Sequence, residues 1–190
     1  MELKTLVFEK RGAHNTEATL QIVRERARAL GIRQVVVASS HGDTARKVRA
    51  LFTPEEARVI AVTICHSWAN VGWTMSAETK AELSAMGIIV HTGVHALGDG
   101  VGAAFSEKYG GPAQEEIVRD TLYRFSQGMK VAVECTLMAA DAGLLAMDQE
   151  VIAVGGTDNG ADTAIVCKPA YARTFFEFEI RELLAKPRIP

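Results

Sequence analysis

Four runs of β-branched and apolar residues recur along this chain, and each ends in hydroxyls, glycines or histidines. The runs are QVVVAS (34–39), RVIAVTI (58–64), GIIVHT (87–92) and EVIAVG (150–155). Short continuous apolar runs are typical of parallel strands that helices cover on both faces. Because helical segments separate these runs, the sequence predicts an α/β fold, a three-layer α/β/α sandwich with a mostly parallel sheet.

Length and composition fit one such domain over residues 1–190. Of the 190 residues, 48% are hydrophobic and 23% are charged, which is the balance of an ordinary globular protein. The formal net charge of −2 gives no excess of cations to neutralise a phosphate backbone, so we expect no nucleic-acid partner. The N-terminus, MELKTLVFEKRG, lacks the apolar core of a secretory signal, and we therefore expect a cytoplasmic protein.

The most apolar stretch of the chain, residues 129–145, is shorter than the ~20 residues that a membrane span needs. It also carries Lys130, Glu134 and Asp141, so we interpret it as a core helix and expect no membrane partner. Lys130 and Glu134 are four residues apart, which favours a surface ion pair on one helix face. The alternative is that Glu134 or Asp141 reaches a second subunit.

A glycine-rich and then helical segment separates the third of these runs (87–92) from the fourth (150–155). Residues 95–112 are glycine-rich and predict a loop, and residues 112–128 predict a helix that Gly128 separates from the apolar one. Two further runs, at 163–168 and 175–180, predict strands near an edge of the sheet. The apolar surface of this insertion leads us to expect a homo-oligomer.

The three cysteines, Cys65, Cys135 and Cys167, are odd in number and have no CxxC spacing. They predict neither a disulfide framework nor a zinc knuckle, and we interpret them as buried, unreactive thiols. His91 and His95 are four residues apart, but His91 belongs to a strand and no carboxylate or cysteine stands at a supporting spacing. We therefore predict no metal site, and we expect His66 and His95 to bind a ligand or to serve in acid–base chemistry.

The polar ends of the strands predict a binding site. In a parallel sheet the carboxyl ends of the strands share one edge, so the loops SSHGDT, TICHSW, HTGVH and GGTDNGADT should surround one cleft. Ser39 and Ser40 would offer hydroxyls there, and Gly42, Asp43 and Thr44 would offer amides at a helix N-terminus. Helix capping explains the same residue types, and both interpretations stay open for this loop.

Six stretches of the chain form a recognisable set of motifs. They are NTE (15–17), VVASSHGDTA (36–45), GVHAL (93–97), SQGMKVAVE (126–134), MAADAGL (138–144) and VIAVGGTDNGADTA (151–164). With these motifs the chain resembles the pyruvate kinase C-terminal-domain-like family, small stand-alone α/β proteins. The resemblance covers nearly the whole chain and implies the same three-layer fold. It implies FMN as a ligand, since that family is associated with FMN, but it implies no pyruvate kinase activity.

The strand ends and the matching motifs together define a set of candidate cofactor-binding residues. The phosphate would lie at the loop after the run 34–39, and the remaining residues would surround the rest of the ligand. The candidates are Asn15, Thr16, Ser39, Ser40, Gly42, Asp43, Thr44, Thr63, His66, Thr92, Gly93, His95, Gly155, Gly156 and Thr157.

Three hypotheses of function follow. The first is a protein that binds FMN or another phosphorylated small molecule, with flavin-dependent catalysis as one version of it. Trp68 and Trp73 would then supply the aromatic wall that a flavin ring needs. The second is a non-catalytic sensor of a phosphorylated metabolite, and the third is an oligomeric scaffold whose polar strand ends are only helix caps.

Overall fold

The structure is a computed structural model, and it describes residues 2–189. Seven strands form one sheet in the order β1-β7-β6-β5-β2-β3-β4. All neighbouring strands are parallel except that β6 is antiparallel to both β5 and β7. The strands are β1 (Leu6–Phe8), β2 (Gln34–Ala38), β3 (Arg58–Thr63), β4 (Ile89–Thr92), β5 (Val151–Gly155), β6 (Thr163–Lys168) and β7 (Glu179–Pro187).

Helices cover both faces of this sheet, which confirms the predicted three-layer α/β/α fold. The helices are α1 (Thr16–Leu30), α2 (Asp43–Leu51), α3 (Ala77–Ala85), α4 (Val101–Tyr109), α5 (Gln114–Leu122) and α6 (Gln127–Asp141), with 3₁₀ turns at Ala13–Asn15, His66–Val71 and Ala172–Glu177.

Alternate residues of each strand serve two separate cores. Val35 and Val37 of β2 pack with apolar residues of α1, α2 and α3, whereas Val36 between them packs with α6. This alternation is the period of two that any β-strand imposes on its side chains. Because both faces are buried, the strand reads in sequence as a continuous apolar run.

Helix α6 is buried on almost all sides, which explains its apolar composition. It begins at Ser126, whose Oγ accepts a hydrogen bond from the amide of Met129 at 2.9 Å. It ends with Asp141, whose carboxylate accepts from the amide of Ala172, so this side chain is used within the chain. The helix packs against β5, β2 and β6 in the middle of the sheet.

Two glycines allow the first turn of α6 to approach the end of β5. A Cβ on Gly155 would overlap the carbonyl oxygen of Gly128, and a Cβ on Gly128 would lie 2.5 Å from Thr163 Oγ1. No side chain fits between the two backbones at these positions. Gly128 lies inside the first turn of α6. The sequence predicts that it separates two helices, and this prediction is wrong.

Four further local predictions are wrong. The glycine-rich stretch contains α4, because Gly100 stands at its N-terminal boundary and Gly102 faces Glu115, where a Cβ would overlap the carboxylate. The helix predicted over 112–128 ends at Leu122, since Ser126 starts a new one. Residues 172–177 form a 3₁₀ turn before β7, and β6 lies between β5 and β7 instead of near an edge.

The positions of its phenylalanines explain why residues 172–177 form a 3₁₀ turn and not a strand. Phe175 and Phe178 pack against the core on the α6 side, while Phe176 is 98% exposed. A spacing of three puts two side chains on one side of a 3₁₀ turn, whereas strand alternation would have placed Phe176 and Phe178 together.

Within residues 2–189, no helix combines the length and the apolar character that crossing a bilayer requires.

We expect Gly155→Ala to lower the free energy of unfolding by about 1–3 kcal/mol, because the added methyl group forces α6 away from β5. Gly143→Ala is the control: nothing lies within 4 Å of its Cβ position, and its positive φ of 69° alone should cost ~1 kcal/mol. Denaturant unfolding of both variants measures the difference. A Gly155→Ala variant as stable as the parent would contradict the close approach.

Candidate functional site

A cavity of about 950 Å³ lies at the carboxyl ends of the parallel strands. The chain runs outward from β2 to β3 and β4, and β5 joins the sheet on the other side of β2. The direction of strand order therefore reverses between β2 and β5, and crevices at such reversals are where open α/β sheets bind ligands. The volume is in the range of small-molecule sites.

Nine of the fifteen candidate residues line this cavity, and six do not. Those that line it come from four separate loops and the start of α1: Thr16, Ser39, Ser40, Asp43, Thr44, Thr63, His95, Gly156 and Thr157. Those that do not line it are Asn15, Gly42, His66, Thr92, Gly93 and Gly155.

Each of these six residues lies outside the cavity lining, in a position that the fold explains. The side-chain amide of Asn15 donates to the carbonyl of Lys10 at 2.7 Å, and Thr92 Oγ1 lies 2.8 Å from Thr63 Oγ1 between adjacent strands. His66 is exposed at the start of a 3₁₀ turn. Gly42 precedes α2 with a φ of 93°, Gly93 lines a smaller hollow beside His91, and Gly155 packs against α6.

The N-terminus of α2 faces the cavity with free donors. Gly42 precedes the helix and has no side chain to cap it, and Ser39 Oγ accepts only from the amide of Ala45, at 3.3 Å. Within residues 2–189, the amides of Asp43 and Thr44 and the hydroxyls of Ser40 and Thr44 have no hydrogen-bond partner. Capping thus accounts for Ser39 but leaves these donors available to a ligand.

The carboxylate of Asp43 should repel an anion at this helix terminus only weakly. Its side chain is 83% exposed, and Oδ1 accepts a hydrogen bond from Arg46 Nη1 at 3.2 Å. Arg46 also makes two hydrogen bonds of 2.8 Å to Glu82, which hold its guanidinium on the outer side of the helix. The carboxylate of Asp43 is therefore largely screened by water and by this cation.

The loop between β5 and β6 forms the facing wall. Gly156 passes so close to the carbonyl of Gly160 that a Cβ would overlap it, and Thr157 is 6% exposed. Within residues 2–189, the hydroxyl of Thr157 has no hydrogen-bond partner. An unpaired buried hydroxyl is unfavourable, and a ligand acceptor would relieve that cost.

Two hydrogen bonds fasten this loop to the chain just before α1. Thr16 Oγ1 accepts from the amide of Ala161 at 3.0 Å, and the amide of Gly12 donates to Asp162 Oδ2 at 3.0 Å. Thr16 Oγ1 also donates to the carbonyl of Ala13 at 2.6 Å. The Thr16 hydroxyl is thus satisfied, and its role is to hold the wall in place.

The loops after β3 and β4 bring an ionisable cluster to the other part of the cavity. Asp99 Oδ2 lies 2.5 Å from His95 Nδ1 and accepts hydrogen bonds from Trp68 Nε1 at 2.9 Å and from Cys65 Sγ at 3.4 Å. Burial alone would raise the pKa of Asp99, but the hydrogen bonds from His95 and Trp68 outweigh it and lower that pKa to about 2. Asp99 is therefore a carboxylate at neutral pH.

Sequence reasoning missed two parts of this site. Lys130 Nζ and Glu134 Oε2 are 2.5 Å apart, as the helix spacing predicted, but the pair is buried in the cavity wall and does not lie on the surface. Glu134 Oε1 also accepts from the amide of Leu97 at 2.9 Å. The second missed part is Asp99, which belongs to the glycine-rich stretch interpreted as a loop. Its position four residues after His95 is the sequence signal that could have indicated their pairing.

Trp68 and Trp73 give the cavity an aromatic surface. Their rings stack with centroids 5.3 Å apart and planes inclined by 20°, and both line the cavity. Trp68 is held by its hydrogen bond to Asp99, whereas Trp73 is half exposed. A flat ligand ring would therefore meet a partly fixed aromatic surface.

These features define an α/β domain with a crevice at the carboxyl edge of its sheet. Residues 17–167 match the family described as "Pyruvate kinase, alpha/beta domain", which is most of the chain. The chain belongs to the pyruvate kinase alpha/beta domain family.

Among solved structures, the crystal structure of Cryptosporidium parvum pyruvate kinase is similar to this chain, with 12% sequence identity and a TM-score of 0.41. The match covers 85% of this chain and 24% of the kinase chain. The chain thus spans about a quarter of the length of that kinase.

We expect Glu134→Ala to lower the free energy of unfolding by about 3 kcal/mol, because it leaves the buried Lys130 cation unpaired. Arg28→Ala is the matched control: Arg28 and Glu56 are also 2.5 Å apart, but this pair is exposed and should contribute less than ~1 kcal/mol. Denaturant unfolding compares the two. Equal losses would show that the Lys130–Glu134 pair behaves as a surface pair.

Proposed function

We propose that this protein binds a small molecule that carries a phosphate group, with FMN as the specific candidate. The observation that carries the proposal is the N-terminus of α2, where the amides of Asp43 and Thr44 and the hydroxyls of Ser40 and Thr44 have no partner within residues 2–189. These donors face a crevice at a reversal of strand order. A helix N-terminus with free amides favours an anion through hydrogen bonds and through the helix dipole.

The facing wall supports the same ligand class. Thr157 lies across the crevice on the β5–β6 loop, and its unpaired hydroxyl can donate to a phosphate oxygen. Gly156 allows the chain to turn tightly here, and the bonds of the loop to Thr16 and Gly12 fix its position. A wall that is held before the ligand arrives adds affinity because little ordering remains to be done.

The aromatic surface in the rest of the cavity supports a ligand with a flat ring system, such as a flavin, over a small phosphorylated sugar. The stacked Trp68 and Trp73 offer a flat apolar surface, and Lys130 and Glu134 offer a donor and an acceptor on the wall formed by α6. Ligand sites of this kind combine apolar or aromatic surface with a few placed polar groups. The resemblance to the pyruvate kinase C-terminal-domain-like family also implies FMN.

The first experiment identifies whatever the purified protein carries. Freshly purified protein is denatured, and the released small molecules are analysed by absorption and mass spectrometry. We expect FMN at a ratio near one per chain, either as purified or after incubation with FMN and removal of the excess. If the released fraction contains no flavin in either case, the assignment to FMN is wrong, and phosphorylated metabolites become the ligands to screen.

A charge placed at the phosphate position tests where the ligand binds. We expect Ser40→Glu to weaken FMN binding by more than ~100-fold, because a carboxylate beside the phosphate costs several kcal/mol. Ser40→Gln has nearly the same shape without the charge, and it should weaken binding by less than ~10-fold. Flavin fluorescence titration measures both affinities. If both variants bind as the parent does, the phosphate does not lie at α2.

A further inference from the structure

Three side chains with metal-binding atoms meet at the ends of β3 and β4. Cys65 follows β3, and His95 and Asp99 follow β4. One ligand atom from each of the three lies within 4.8 Å of the others. The sequence predicts no metal site around His95, yet Asp99 stands four residues after it in the chain. The fold adds Cys65, which the sequence spacing does not connect with His95.

The donor set favours zinc over the common hard cations. A thiolate, an imidazole and a carboxylate are ligands that Zn²⁺ accepts together, whereas Mg²⁺ and Ca²⁺ require mostly oxygen. Ligand atoms on a tetrahedral zinc ion are roughly 3.2–3.8 Å apart, given bond lengths of about 2.0–2.3 Å. Cys65 Sγ and Asp99 Oδ2 are already 3.4 Å apart.

One distance has to change on metal binding. His95 Nδ1 and Asp99 Oδ2 are 2.5 Å apart, which is the distance of a short hydrogen bond. An ion bound by both atoms would increase this distance by about 1 Å. Both residues stand on the segment between β4 and α4 and outside both elements, so the change is confined to a loop.

Neighbouring groups already hold two of the three ligands. Trp68 Nε1 donates to Asp99 Oδ2 at 2.9 Å, and Ser67 Oγ lies 2.8 Å from Cys65 Sγ. Hydrogen bonds to ligand atoms orient the ligands and tune their basicity in metal sites. The 3₁₀ turn at His66–Val71 that follows Cys65 supplies both of these neighbours.

The position of the three residues leaves one side of the cluster open. His95 and Asp99 line the large cavity, whereas Cys65 is buried behind them. Three protein ligands with a fourth position toward a cavity is the arrangement of catalytic zinc sites, and structural sites are closed by four protein ligands. We infer that Cys65, His95 and Asp99 bind a zinc-type transition-metal ion whose fourth coordination position opens into the ligand cavity.

Titration with Co²⁺ tests this inference, because cobalt reports thiolate ligation by a charge-transfer band in the near ultraviolet. The protein is stripped of metal and titrated with Co²⁺ in a buffer without phosphate or flavin, so the result does not depend on the proposed ligand. We expect one Co²⁺ per chain, the thiolate band, the visible bands of a four-coordinate ion, and displacement by Zn²⁺.

Variants separate this site from unspecific binding. Cys65→Ser should abolish the thiolate band, and His95→Gln should weaken Co²⁺ binding at least ~10-fold. Trp68→Phe removes only the hydrogen bond to Asp99, so it should weaken binding by about 10-fold while the band remains. Cys135→Ala is the matched thiol control, because burial raises the pKa of Cys135 and keeps it protonated.

Two results would overturn the inference. One is a parent protein that shows no thiolate band at saturating Co²⁺. The other is a band that survives in Cys65→Ser or disappears in Cys135→Ala. Circular dichroism of each variant establishes that it is folded, and His95→Gln decides the question if Cys65→Ser does not fold.

Discussion

The contact between Gly128 and Gly155 determines where helix α6 lies on the sheet. With no side chain between them, the first turn of the helix rests directly on the end of β5. The start of α6 is thereby held at the carboxyl edge of the sheet, where Lys130 and Glu134 line the cavity. If larger residues stood at these two positions, α6 would shift outward and the buried ion pair would no longer meet the amide of Leu97.

Much of the fold is accessible from the sequence because its central strands are buried on both faces. Such strands appear as uninterrupted apolar runs, which predict β2, β3 and β5. The edge strand β4 is only half buried, but its run is apolar enough to be predicted as well. The gathering of four loops at one edge follows from parallel pairing alone. Neither feature depends on knowledge of side-chain contacts.

The remaining features depend on tertiary contacts that a pattern does not encode. The spacing of Lys130 and Glu134 predicted their pairing correctly, but their depth depends on which face of α6 meets the cavity. Glycines in the 95–112 segment predict a loop, whereas Gly102 lies inside helix α4, next to the side chain of Glu115. Cys65 and Asp99 are 34 residues apart, and only the pairing of β3 with β4 brings their loops together.

The cavity combines two environments with different chemistry. On the side of β5 and β2, the wall presents backbone amides and hydroxyls, and the charged residues Asp43, Lys47 and Asp158 also line it. On the side of β3 and β4, it contains a carboxylate that hydrogen bonds keep ionised, next to a histidine and a thiol. One elongated ligand could present an anionic end to the first environment and a neutral or electron-rich group to the second.

The hydrogen bonds that join residues 12–16 to the β5–β6 loop also affect how the protein folds. These two hydrogen bonds join residues that are 145 and 150 positions apart in the chain. Contacts of such sequence separation form slowly, because a large loop must close before they contribute any stability. On a ribosome, nearly the whole chain has to emerge before this wall of the cavity can close. The crevice is therefore among the last parts of the molecule to be completed during synthesis.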